Sequence, residues 1–360
     1  MTMTDTCKRP WVAAAWALFI VLAATGCDGC DDDDDDAGGG GNGGDGGGGA
    51  EGGGQQAGGG GDQGGGGSTA VASFNEVTQT TTTPFDATPN PAGDRIYFTA
   101  SGPDLAGVYA VSATGGGITA VAEGFPFATP LGIATSTDGD TLYVADPAAD
   151  DDDLDGGKIF SLNADGGAAL VVEGAERYKP LGLEVFDDDG SDEIYFSGTD
   201  PDTNERGIFH ISASGGAVES VVTNTTMDPS GIAVAKNGDI YFVDTVGSAA
   251  RLGRVMKIAV GTTQPLVLLD DIHTGYPAGI ALSADDDQLW VSALDPATLT
   301  DVVLNIDIAD MAVSTVTGDD DTSITSFFES AGIHRAKNAN VFSFVDSLAN
   351  GQGTIFAASP

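Results

Sequence analysis

Asp151, Asp153, Asp155 and Gly156 stand in D-x-D-x-D-G order inside the run Asp150-Asp151-Asp152-Asp153-Leu154-Asp155-Gly156-Gly157-Lys158. Alternate carboxylates on a tight loop can converge on one hard cation, and the glycine permits the sharp turn. The spacing therefore predicts a structural Ca2+ site. Leu162 occupies the twelfth position, where a helix–loop–helix calcium loop needs a bidentate glutamate, so that geometry is excluded. The remaining ligands would be carbonyls, water, or Asp146 at the end of the preceding strand. The competing reading is a solvated acidic loop whose charges simply face water. Asp187–Glu193 and Asp200–Asn204 are poorer versions of the same pattern.

Other chemistry is sparse. There are three histidines, His210, His273 and His334, and no Gly-x-Ser-x-Gly, zinc-ligand spacing or phosphate loop. His210 falls inside a strand pattern and reads as a packed sheet residue. Glu184 and His334 occupy one repeat position, defined below, where better copies have alanine. They are the two candidates for chemistry in a central channel, set against a buried, hydrogen-bonded pair of exceptions.

The three cysteines lie in the first 30 residues. Lys8 and Arg9 precede an uncharged apolar run, Trp11–Ala24, of signal-peptide length and too short for a membrane span. Leu22-Ala23-Ala24-Thr25-Gly26-Cys27 follows. It resembles a bacterial lipobox, with Ala24 where leucine is usual, and the resemblance implies cleavage before Cys27 and lipidation of that residue. Cleavage elsewhere would give a secreted protein. Asp31–Asp36 is an unbroken run of carboxylates, and 21 of the 31 residues from Ala37 to Gly67 are glycine. Such a stretch cannot bury a core, so residues 27–70 are expected to form a disordered tether behind a signal peptide at 1–26.

From Val71 to Pro360 the chain carries 11 basic against 43 acidic residues, a formal charge of −32. A surface this acidic excludes nucleic acid, whose phosphates need cationic partners. The same span reads as six copies of one unit. Four copies open with Pro-x-Gly-aliphatic: Pro130-Leu131-Gly132-Ile133, Pro180-Leu181-Gly182-Leu183, Pro229-Ser230-Gly231-Ile232 and Pro277-Ala278-Gly279-Ile280. Degenerate copies stand at Pro84-Phe85-Asp86-Ala87 and Ser330-Ala331-Gly332-Ile333. The starts are 46, 50, 49, 48 and 53 residues apart. An aliphatic–aromatic pair follows in each copy (Ile96-Tyr97, Leu142-Tyr143, Ile194-Tyr195, Ile240-Tyr241, Leu289-Trp290, Val341-Phe342), usually after an Asp-Gly or Asn-Gly type turn. A third and a fourth strand pattern complete the unit. Four short strands joined by tight turns describe one propeller blade, so the expected fold is an all-β, six-bladed β-propeller.

The sixth copy ends after its third strand, and a spare strand, Ser73–Thr80, precedes the first. That strand is expected to complete the last blade and close the ring, since an open array would expose unpaired edges. Each Pro-x-Gly glycine is expected where the innermost strands crowd the axis and a Cβ would clash.

The best copy, Pro229–Asp244, resembles an NHL repeat and equally a blade of the senescence-marker/gluconolactonase group of six-bladed propellers. The resemblance covers nearly all of 71–360 and carries fold better than activity. In gluconolactonase- and paraoxonase-like enzymes a channel Ca2+ typically takes an Asn and an Asp at the x of Pro-x-Gly. Here those positions hold Leu131, Leu181, Ser230 and Ala278, with Phe85 and Ala331 in the degenerate copies. One hydroxyl cannot supply the six to eight oxygens such a cation takes. The expectation is a non-enzymatic binding or scaffold module in a bacterial cell envelope. A lipid anchor would hold it at a membrane, and it would take an envelope protein, a glycan or a small ligand, with structural Ca2+ as the only cofactor. The alternative is a Ca2+-dependent lactonase- or esterase-like hydrolase with a displaced channel site using Glu184 and His334.

Overall fold

The computed structural model describes residues 73–102, 105–149, 156–245, 252–274, 278–295, 300–318 and 330–359. The sequence readings on Cys27, the tether, Asp151, Asp153 and Asp155 lie outside these residues.

Strand β1 (Ser73–Thr80) comes first in the chain but last in the ring. Blade 1 is β2 (Thr83–Pro89), β3 (Arg95–Ser101), β4 (Ala106–Ser112) and β5 (Thr119–Glu123). Blade 2 is β6 (Gly132–Thr135), β7 (Thr141–Asp146), β8 (Lys158–Asn163) and β9 (Leu170–Val171). Blade 3 is β10 (Leu183–Asp188), β11 (Ser191–Thr199), β12 (Arg206–Ser212) and β13 (Glu219–Asn224). Blade 4 is β14 (Pro229–Val234), β15 (Ile240–Asp244), β16 (Leu252–Ile258) and β17 (Leu266–His273). Blade 5 is β18 (Ile280–Leu282), β19 (Gln288–Asp295), β20 (Thr300–Asp307) and β21 (Val313–Gly318). Blade 6 takes β22 (Ser330–Arg335), β23 (Phe342–Asp346) and β24 (Gly353–Ser359) from the chain's end.

Each blade is an antiparallel meander whose first strand is innermost. The first strands touch in cyclic order, β2 to β6 to β10 to β14 to β18 to β22 and back to β2, so the ring is closed. β1 supplies the missing outer strand of blade 6. It runs antiparallel to β24 from Ser73 opposite Ser359 to Thr80 opposite Gly353. Its first two residues also pair in parallel with Thr317 and Gly318 of β21, which joins blades 5 and 6 into one eight-stranded sheet.

Packing explains the residue pattern. Second strands are buried on both faces, as in β15, where Ile240 to Asp244 are all buried. Side chains of alternate parity therefore belong to cores on opposite sides of a sheet. Tyr195 packs with the blade 3–4 cluster of Ile208, Met227, Phe242 and Met256. Its neighbours Ile194 and Phe196 pack with Tyr143 and Val172 of blade 2. The aliphatic–aromatic pairs are thus core. The hairpin turns follow the sequence as well, with Gly139 and Gly238 at φ +84° and +85°. The fourth strand of blade 2 is shorter than its sequence pattern, only Leu170–Val171. It is an outer edge with Leu170 exposed; Val172 still turns into the core and donates to the Ile159 carbonyl at 2.8 Å, and Gly174 then ends the extension at φ +104°.

Candidate functional site

Six equivalent positions ring the axis: Asp86, Gly132, Gly182, Gly231, Gly279 and Gly332. Five are glycine because the inner strands nearly touch. A Cβ on Gly132 would stand 2.4 Å from the carbonyl oxygen of Leu181, on Gly182 2.5 Å from that of Ser230, and on Gly231 2.5 Å from that of Ala278. A Cβ on Gly279 would lie 2.7 Å from the Cα of Gly332. All are far inside van der Waals contact.

The sixth position departs from the rule. Asp86 points into the space that Gly332 leaves empty, since a Cβ there would lie 1.8 Å from Asp86 Oδ1. Asp86 Oδ1 accepts from the Ala87 amide at 2.8 Å, and Oδ2 from the Ile133 amide at 3.0 Å. Oδ2 also lies 3.1 Å from His334 Nε2.

Two residues further along the inner strands, His334 of blade 6 faces Glu184 of blade 3, the opposite blade. Nδ1 lies 3.2 Å from Glu184 Oε2. The structure therefore brings together the two channel residues that the sequence singled out. Lys337, in the turn after β22, bonds to Glu184 Oε1 and to the Val185 carbonyl. At the other four blades this level holds Thr88, Ala134, Ala233 and Ala281.

The electrostatics follow from the partners. Both imidazole nitrogens face carboxylate oxygens, which only accept, so both must donate and the ring is an imidazolium. Burial alone would lower the His334 pKa, but the Asp86 and Glu184 carboxylates outweigh it and raise it to about 10. Burial alone would raise that of Glu184, but the Lys337 ammonium and His334 prevail and hold it down at about 2. At neutral pH neither group is poised to exchange a proton.

Above this pair, at the Pro-x-Gly end, the channel holds a small dimple lined by Leu131, Leu181, Ser230 and Ala278 with the axial glycines, floored by Asp86 and His334. Its volume of about 20 Å3 has room for one or two waters. Ser230 Oγ accepts from the Ala278 amide at 3.0 Å. Among the described residues, no three His, Cys, Asp or Glu side chains converge as a metal site.

Opposite the axial ring, odd and even blades differ. Odd blades place a hydroxyl there: Thr99 Oγ1 donates to the Leu131 carbonyl at 2.7 Å, and Ser197 Oγ to that of Ser230 at 2.6 Å. Ser292 Oγ accepts from the Gly279 amide at 2.6 Å. Even blades instead carry a fully buried aspartate one residue later: Asp146, Asp244 and Asp346. Asp146 accepts from the amides of Ala128 (2.7 Å), Thr129 (3.0 Å) and Ala148 (3.1 Å). Burial raises its pKa, and those amides oppose the shift. Asp244 accepts from the Asp228 amide at 2.7 Å and pairs with Arg254, while Asp346 accepts from Leu348 at 2.7 Å. These carboxylates hold the loops of the dimple's face in place. His210 is a half-buried sheet residue stacked on Tyr195, with ring centroids 5.3 Å apart.

Asp86 and Lys337 were not singled out by sequence reasoning, although Asp86 carried a signal, a charged residue in the axial glycine column.

The sequence matches no family model and no curated protein. Solved structures do match in shape. A gluconolactonase of Xanthomonas campestris superposes with a TM-score of 0.55 at 14% identity, over 81% of this chain and 90% of that one. The PQQ-bound aldose sugar dehydrogenase of Streptomyces coelicolor gives 0.53 at 14%, over 81% and 98%. TolB of Acinetobacter baumannii gives 0.52 at 14%, over 77% and 63%. The chain is therefore a six-bladed β-propeller with gluconolactonase-like and TolB-like structural neighbours. At such identities the likeness is one of fold.

Proposed function

We propose that this protein is a lipid-anchored, extracytoplasmic propeller that works by binding, with no turnover at its axis. The observation that carries this reading is the His334 pair with Asp86 and Glu184. A general base needs a pKa near the working pH, and His334 is held far above it. The dimple above it is small and lined by Leu131, Leu181 and Ala278 with a single hydroxyl, that of Ser230, whose Oγ accepts from the Ala278 amide. Binding then falls to the loop face and the dimple's mouth, with an envelope protein, glycan or small ligand as partner. Lipidation at Cys27 would place the body at a membrane, and Ca2+ on Asp151, Asp153 and Asp155 would brace the long loop of blade 2.

A second reading, a Ca2+-dependent lactonase or esterase, draws support from the meeting of Glu184 and His334 at the channel. One experiment separates the two. The purified protein is immobilised and exposed to envelope extract, and the same preparation is assayed against lactones and aryl esters with Ca2+. Retention of a specific partner with no hydrolysis above background is expected. Ca2+-dependent hydrolysis abolished by Glu184→Gln would overturn the binding reading.

A further inference from the structure

We propose that the ring is closed twice: at its rim by β1, and at its axis by an ionic tie through which blade 6 grips blades 1 and 3. Blade 6 is the seam of the propeller, because its strands come from both ends of the chain. It also supplies the cations of the tie, His334 and Lys337. The carboxylates come from elsewhere, Asp86 from blade 1 across the seam and Glu184 from the blade diametrically opposite. A third link runs to the other neighbour, where Arg335 Nε donates to the Leu282 carbonyl of blade 5 at 2.8 Å.

Three exceptions to the repeat and the turn residue Lys337 make up the tie. Asp86 stands in a glycine column, and Glu184 and His334 in a column otherwise Ala or Thr. With the other two absent, His334 would be a buried charge without a partner, Asp86 would keep only its backbone amides and Glu184 only Lys337, so the three depend on one another. Asp86 faces His334 from β2, and Glu184 from β10. β6, β14 and β18 bring only Ala134, Ala233 and Ala281 to this level. On the seam's own strand and turn lie Arg335 and Lys337, and Glu184, with Asp285 and Asp286 of the β18–β19 turn in blade 5, acts on Arg335. The charged groups that act on the imidazole are the Asp86 and Glu184 carboxylates. The tie spans the channel, so a ligand at the mouth meets a braced ring, and loosening at the rim does not by itself part the blades at the axis.

The test is a double-mutant cycle in the full chain, with His334→Gln, Glu184→Gln and both together, followed by urea unfolding at pH 6. Each single variant is expected to shift the unfolding constant by a hundredfold or more. The double variant should fall short of the product by at least tenfold, because each single variant takes from the other's charge one of its two partners. The full chain should also lose stability as pH rises from the ordinary histidine value of 6.5 toward about 10, where His334 deprotonates, and His334→Gln should lack that loss. Additive singles, or the same alkaline slope in His334→Gln, would overturn the tie. Should the His334 variants fail to fold, the cycle is run on Lys337→Met and Glu184→Gln, where additivity counts equally against it.

Discussion

His334 Nε2 lies 3.1 Å from Asp86 Oδ2, although the two residues are 248 positions apart in the chain. The contact joins the last blade to the first at the level where five other residues are glycine. Regularity built the ring, and one departure from it placed a charge on the axis. The same departure gives the channel its character: charged groups are present, but they neutralise one another.

Restoring regularity should therefore harm the protein. Asp86→Gly would complete the ring of six axial glycines, yet it would leave the buried His334 cation with one partner fewer. A loss of about 3–5 kcal/mol is expected, the usual consequence of breaking a buried pair. Urea unfolding measures it, and an unchanged or raised midpoint would show that the repeat consensus matters more than the pair.

Two glycine substitutions should separate crowding from backbone strain. Gly182→Ala puts a Cβ 2.5 Å from the Ser230 carbonyl oxygen, and the inner strands must part to admit it. Its cost should be about 3 kcal/mol. Gly190→Ala meets open space and suffers only from its φ of +89°, so about 1 kcal/mol is expected. Equal costs at the two sites would mean that the axis is more compliant than the close approach implies.

The architecture was legible in the sequence because propeller blades impose a period. Spacings of 46 to 53 residues, recurring aliphatic–aromatic pairs and a final copy lacking its fourth strand are enough to place β1 in blade 6. Glu184 and His334 were legible as exceptions in an alanine column. Asp86 was not, because it sat in a column read as conformational, so its charge registered only as decay of the motif. Lys337 was hidden in a turn, where lysine is ordinary. A repeat fixes the height of a residue along the axis, but not how far its side chain reaches across. The alternation of Thr99, Ser197 and Ser292 with Asp146, Asp244 and Asp346 was visible in principle, and it emerges only when odd and even blades are compared.

The rim closure has its own anchor. Phe74 of β1 packs edge-on against Phe344 and Phe356 at centroid distances of 5.5 and 5.7 Å. The same cluster contains Trp290 stacked on Phe342 at 4.1 Å, so it welds blade 5 to blade 6. Phe74→Ala should cost about 3–5 kcal/mol. It should also expose β24 as an unpaired edge when β1 frays, giving concentration-dependent self-association by light scattering. A monomeric variant of unchanged stability would place the closure elsewhere.

Acid should act through Glu184. Its carboxyl is held at about 2 against an ordinary 4.5, so its contribution is complete above pH 4.5 and drains away as pH falls toward 2. In Glu184→Gln the stability lost over that interval should shrink by about one proton's worth in slope. An identical acid limb in the two proteins would mean that other carboxylates set it.

The account rests on His334 being a fixed cation and not a proton-transfer group. Nitrogen NMR of the labelled chain reads this directly from the two ring-nitrogen shifts of His334 across a pH titration. Both nitrogens are expected to stay protonated through neutral pH, with the transition near pH 10. A transition near the ordinary value of 6.5, or a neutral tautomer at pH 7, would contradict the account and return the channel to the list of acid–base sites.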